Sequence, residues 1–140
     1  MKYLLIFFCF TLQADYSITQ VIDTLMKAES SNGKFIHGDK LNGKYRAIGC
    51  LQIWQCTVDD ANRVSKLKGY SYRFTYQDRY NVKKSRLMCR IVLMNQIERW
   101  KINRGRLPNE YELAHSWKHP YKYSIHDFDY VKLYKNNQKI

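Results

Sequence analysis

The sequence predicts an α+β fold that is mostly α, with a small β-hairpin inserted after the first helix. Three observations predict it. Apolar residues recur at helical spacing in several separate segments. That period vanishes between Asn32 and Ile48, where Asn42-Gly43 is the dipeptide of a type I′ hairpin turn. The chain has 140 residues, 45% of them hydrophobic and 15% aromatic. That is enough for one domain with a real core, and too apolar for a disordered protein.

Each element has its own signal. Met1-Lys2 supplies a positive start, Tyr3 to Leu12 is an apolar run, and Leu12-Gln13-Ala14 ends in a small residue. This is the layout of a secretory signal peptide over residues 1–14, with cleavage after Ala14. A membrane span needs about twenty apolar residues, and this run stops at half that. Residues 15–140 are then a single domain, secreted or periplasmic. Over residues 17–28, Ile18, Val21, Ile22, Leu25 and Ala28 make a core-facing helical stripe, and Ser17 with Gln20 reads as a capping box. After the hairpin turn, residues 45–48 return as a short strand. Thr57 starts a second helix, with Asp59 and Asp60 in its first turn and Gly69 just past its end. The long segment 81–100 carries Val82, Leu87, Met88, Ile91, Leu93, Met94 and Ile97 on more than one side, which marks the central buried helix. Pro108 sits near the start of a fourth helix that ends before Pro120, and Asp127 caps a short last one.

Charge and cysteine content bound the function. Lys and Arg number 24 against 12 Asp and Glu, a formal net charge of +12. Such a surplus suits a polyanionic partner: nucleic acid, an anionic membrane or an acidic cell wall. Cleavage after Ala14 removes Cys9 and leaves Cys50, Cys56 and Cys89. Three thiols allow at most one bridge, no C-x-x-C pair points to zinc or redox chemistry, and small buried hydrophobes account for at least two of them.

Chemistry concentrates at the end of the first helix. Glu29 lies four residues after Leu25, on the apolar stripe. Burial there disfavours the charged carboxylate and raises its pKa, and the negative end of the helix dipole pushes the same way. A carboxylic acid still protonated near neutral pH is what general acid catalysis requires.

The order of residues around Glu29 carries a resemblance. Glu29-Ser30-Ser31-Asn32 is followed by Gly38-Asp39, Gly43-Lys44 and Ala47-Ile48-Gly49-Cys50-Leu51-Gln52-Ile53. Val58-Asp59-Asp60-Ala61-Asn62-Arg63 and Tyr76-Gln77-Asp78-Arg79 continue it. This resembles the lysozyme-like superfamily, nearest the small secreted or phage-encoded branch with invertebrate-type lysozymes and soluble lytic transglycosylases. The resemblance spans about residues 21–134. It implies the lysozyme α+β fold and cleavage of the β-1,4 link between N-acetylmuramic acid and N-acetylglucosamine. It further implies Glu29 as proton donor and Asp39 as second carboxylate. Gln52 and Ser30, with the backbone of Gly49 and Leu51, would contact the sugar. Asp39 also suits a turn before Asn42-Gly43, and Gln52 suits packing where the hairpin meets the next helix.

The pattern departs in one place. The branch carries a Trp- or His-Asn-Gly-Gly-Pro segment after the fourth helix, whereas here Trp117 and Pro120 flank Lys118-His119. That wall of the cleft is therefore altered. Trp117, Tyr121 and Tyr123 offer flat faces for sugar stacking or for packing over the helix end. His115 and His119 stand at i, i+4, but Pro120 cuts the helix and no third ligand is evident, so no metal or cofactor is expected. No Gly-x-Ser-x-Gly elbow or phosphate-binding glycine loop occurs.

The expected function is a monomeric peptidoglycan-cleaving glycosidase, hydrolysing or transglycosylating. Its partners are peptidoglycan glycan strands and the anionic bacterial cell wall, without a stable nucleic acid complex. Two alternatives stand beside it. One is a catalytically weak wall-binding module. The other is a basic secreted nucleic-acid-binding protein or nuclease, using the basic and aromatic segment 63–90 and His37, His115 or His126 with Glu29.

Overall fold

The computed structural model describes residues 15–138. The proposed signal peptide, residues 1–14, lies outside the described residues. Five helices and one hairpin follow in order: α1 (Ile18–Ser30), β1 (Lys40–Leu41), β2 (Lys44–Tyr45), α2 (Gln55–Leu67), α3 (Val82–Arg104), α4 (Glu110–Lys118) and α5 (Phe128–Gln138), with a 3-10 turn at Tyr76–Tyr80. The fold is thus α+β and mostly α, with the hairpin directly after the first helix. Among the described residues no helix is long and apolar enough to cross a membrane.

Helix α3 is the axis of the core. It packs against α1, α2 and α4 and buries Met88, Cys89, Val92, Leu93, Gln96 and Trp100. Its apolar residues do face more than one side, although Val82 and Met94 are exposed. The helix runs four residues past Trp100, to a left-handed cap at Gly105. Val21, Ile22 and Leu25 of α1 meet this core as their spacing predicts.

Several helix ends differ from expectation. Ser17 is the N-cap of α1, but its side chain makes no capping hydrogen bond among the described residues. Helix α2 starts two residues earlier than Thr57, so Asp59 and Asp60 sit in its second turn. There they hold the hydroxyls of Tyr76 and Tyr121 rather than the helix end. Asp127 caps α5 as expected, accepting from the Tyr130 N–H at 3.0 Å. The capping box that does form at α4 pairs Asn109 with Glu112, and Arg106 clamps Glu112 from outside.

The hairpin is shorter than predicted. Lys40 pairs with Tyr45 and Leu41 with Lys44, closing a turn in which Asn42 and Gly43 both have positive φ. Ile48 instead makes single bridges to His37 and Ile53. Arg79 holds this region in place: its buried guanidinium donates to the carbonyls of Tyr76, Arg46 and Ile53. Gly49 packs so closely on Arg79 that a Cβ there would lie 1.9 Å from the Arg79 carbonyl oxygen.

Candidate active site

A cleft of about 600 Å³ opens between four segments: the end of α1, the hairpin, the turn into α2 and the end of α4. It brings together Glu29, Asp39, Gln52 and Trp117 from widely separated positions in the chain.

Glu29 is the penultimate residue of α1, half-buried on the cleft floor. Burial pushes its carboxyl pKa up, opposed by the Tyr130 hydroxyl and by the positive charge of Lys118. The Tyr130 phenol donates directly to Glu29 Oε1. Tyr130 is itself buried, and its own pKa is driven well above the ordinary tyrosine value by burial and by Glu29, so it stays a donor. Nothing local in the sequence announces this partner, because it comes from the last helix.

Asp39 stands exposed at the hairpin entrance. Its backbone carbonyl accepts from Arg46 N–H at 2.8 Å, which fixes it to the returning strand. Gln52 is held by its own amide nitrogen, which donates to the carbonyls of Phe35 and Gly49 at 3.0 and 2.9 Å. Its Oε1 lies against Gly38, where an added Cβ would come within 2.2 Å. A side chain at Gly38 would press on the Gln52 amide and on the Ala47 Cβ, so the position of Gln52 depends on the glycine.

The other residues implied as sugar contacts lie elsewhere. Ser30 is buried: its hydroxyl donates to the carbonyls of Cys50 and Met26 and accepts from Gly33 N–H. It joins the helix end to the cleft segment instead of lining the cleft. Leu51 is fully buried in the core. Gly49 has its N–H on the Ile36 carbonyl and its own carbonyl on Gln52, so its backbone is already satisfied. Tyr121 points to the α2 side, where its hydroxyl donates to Asp60 and accepts from Arg63. Cleft residues the sequence reading missed are Trp54, Cys56 and Thr57, while Lys118 and His119 line the wall that it marked as altered. Trp54 is 39% exposed, with the Arg46 guanidinium 4.1 Å from its ring centroid. A large aromatic left exposed at a helix N-cap, directly after Gln52-Ile53, was the available signal.

Cys50, Cys56 and Cys89 are free thiols; Cys50 and Cys89 are buried and act as small hydrophobes. Burial, then His119 and His126, pushes the His115 imidazole down to about 4. His126 comes back to His115 and His119 from the loop before α5 and supplies the third imidazole that the sequence spacing did not show.

The arrangement offers a desolvated acid, a second carboxylate across an open cleft and aromatic walls. Such a set can protonate a leaving group and stabilise or intercept the cation left behind. Compared with known proteins, the chain matches no protein family, no curated protein and no solved structure.

Proposed function

We propose that the chain is a peptidoglycan-cleaving glycosidase of lysozyme-like fold, with Glu29 as general acid. One observation carries the reading. Glu29, with its pKa raised by burial, shares a single open cleft with Asp39, Gln52, Trp54 and Trp117. Glycosidases work with a pair of carboxyl groups in unequal environments, one desolvated and one open to solvent.

In this reading a glycan strand lies along the cleft, its sugar faces against the indoles. Glu29 donates its proton to the glycosidic oxygen, and positive charge builds at the anomeric carbon. Tyr130 fixes the rotamer of Glu29 and stabilises the carboxylate that proton transfer leaves. Asp39, reaching in from the hairpin, meets the cationic carbon or activates a water. Gln52 presents a fixed amide to the sugar substituents. The basic surface favours encounter with a polyanionic wall.

Clearing of a bacterial wall suspension tests the proposal. The wild-type chain lowers turbidity and Glu29→Gln does not, while both keep the same circular dichroism. Walls that stay turbid but co-sediment the protein would make it a binding module. Degraded RNA or DNA with intact walls would make it a nuclease.

A further inference from the structure

We propose that His115, His119 and His126 form a binding site for one divalent transition-metal ion of the zinc class. The site is independent of the glycosidase reading. His115 lies in the last turn of α4, His119 is that helix's C-cap, and His126 returns at the end of the following loop. One nitrogen of each lies within 4.8 Å of the others. The three ring centroids are 4.8, 4.5 and 4.6 Å apart.

Three features separate this trio from ordinary packing. First, His115 is fully buried and its Nδ1 has no hydrogen-bond partner among the described residues. Nε2 accepts long contacts from the backbone N–H groups of His126 and Asp127 at 3.4 and 3.3 Å, which puts the neutral ring's proton on Nδ1, a buried donor with nothing among the described residues to accept it. A metal ion at Nδ1 takes the place of that proton, which passes to Nε2 or to solvent as those two contacts open. Second, Asp127 Oδ2 sits 2.9 Å from His119 Nε2. A carboxylate behind an imidazole is the outer-shell contact that orients metal-bound histidine. Third, burial is graded from His115 through half-buried His119 to exposed His126, which leaves an entry path from solvent.

Zinc–imidazole bonds of about 2.0–2.1 Å place tetrahedral ligand nitrogens roughly 3.3 Å apart. Closing from the observed spacing requires ring movement, to which the exposed His126 contributes most. Imidazole is a borderline ligand, suited to zinc, copper, nickel or cobalt and poorly to magnesium or calcium. Three neutral nitrogens leave a fourth position for water. Lys118, whose ammonium is 3.4 Å from Asp127, opposes a dication. It is exposed, so it can swing away. Because His119 also lines the cleft, the ion would clip the wall formed by residues 117–120 to the loop before α5.

The test is calorimetric titration of the metal-free chain with zinc chloride, alongside Cys56→Ser, His126→Ala and Asp127→Asn. One ion binds per chain, and the melting temperature rises by about 5–10 °C at a hundredfold excess over the dissociation constant. Cys56→Ser binds as the wild type. His126→Ala, altered at an exposed position, melts as the wild type without metal but binds at least about 100-fold more weakly. Asp127→Asn, which keeps the Oδ1 that caps α5, binds roughly tenfold more weakly. Cobalt(II) at the site gives the visible absorption of a four-coordinate ion without a thiolate charge-transfer band. Absence of binding overturns the proposal, as does binding that survives His126→Ala. Loss of binding in Cys56→Ser would put the ion on the thiol instead and overturn it equally.

Discussion

The hydroxyl of Tyr130 hydrogen-bonds the carboxylate of Glu29, joining residues 101 positions apart. The contact ties the last helix to the end of the first, and it works against burial. Burial raises the Glu29 pKa, and the phenol lowers it by stabilising the charged form. Tyr130 therefore sets both the rotamer and the titration of the proposed acid.

Replacing Tyr130 with Phe removes the lowering influence and leaves the burial. The alkaline limb of the pH–rate profile, where Glu29 loses its proton, moves to higher pH. Turnover falls by about tenfold, the size of a lost hydrogen bond to a charged group. The profile of wall lysis against pH for the two proteins checks this. A limb that stays put or moves down contradicts the role given to Tyr130.

The same raised pKa has a consequence for stability. The folded chain keeps the Glu29 proton to higher pH than the unfolded chain does, so between the two pKa values the folded state binds more protons. Stability attributable to Glu29 is therefore full below its unfolded pKa, and it falls as pH rises through the folded one. Glu29→Gln lacks this loss. It is expected to be more stable than the wild type at neutral pH, with the difference fading in acid. Urea unfolding across pH measures the difference, and a variant less stable at every pH would contradict it.

In the proposed reaction, Asp39 is the residue that decides how the cleaved strand is resolved. With two carboxylates water completes the reaction and the products carry reducing ends. With Glu29 alone the muramic acid 6-hydroxyl closes a 1,6-anhydro ring. We expect reducing-end products from the wild type, and at least about a 100-fold loss of rate in Asp39→Asn. Anhydro products that persist in Asp39→Asn would leave Glu29 working alone.

Gly49 and Gly43 both have positive φ, but only Gly49 is crowded. A Cβ at Gly49 meets the Arg79 carbonyl, and that carbonyl also accepts from Ser85. Gly49→Ala should cost about 3 kcal/mol or more through overpacking and backbone strain. Gly43→Ala, in open space at the hairpin tip, should cost only about 1 kcal/mol for the left-handed backbone. Urea midpoints compare the two, and equal losses would refute the packing account of the Arg79 contact.

What could be read from the sequence was local. The α1 stripe, the central α3, the Asn42-Gly43 turn and the Asp127 cap all follow from periodicity or turn chemistry within a few residues. Glu29 was legible because a carboxylate on an apolar stripe is anomalous wherever it occurs. Tyr130 was not, since a tyrosine in a terminal helix carries no mark of its partner. His126 was missed for the same reason: only the loop closing back on α4 brings it to His115. Ser30 and Leu51 neighbour cleft residues in sequence, but the Ser30 hydroxyl turns inward to a carbonyl, and Leu51, expected to offer its backbone, is buried whole in the core. The start of α2 was misplaced because Asp59 and Asp60 resemble first-turn acids, whereas tertiary partners in Tyr76 and Tyr121 hold them one turn later.

The central claim is that Glu29 protonates the glycosidic bond of peptidoglycan. Mass spectrometry of soluble fragments from purified peptidoglycan tests it most directly, with wild type and Glu29→Gln compared at equal concentration. The account predicts disaccharide-peptide fragments cut between N-acetylmuramic acid and N-acetylglucosamine from the wild type. It predicts their loss by at least about 1,000-fold in a Glu29→Gln protein that is still folded. Fragments released at comparable rates by both proteins, or by neither, would contradict it.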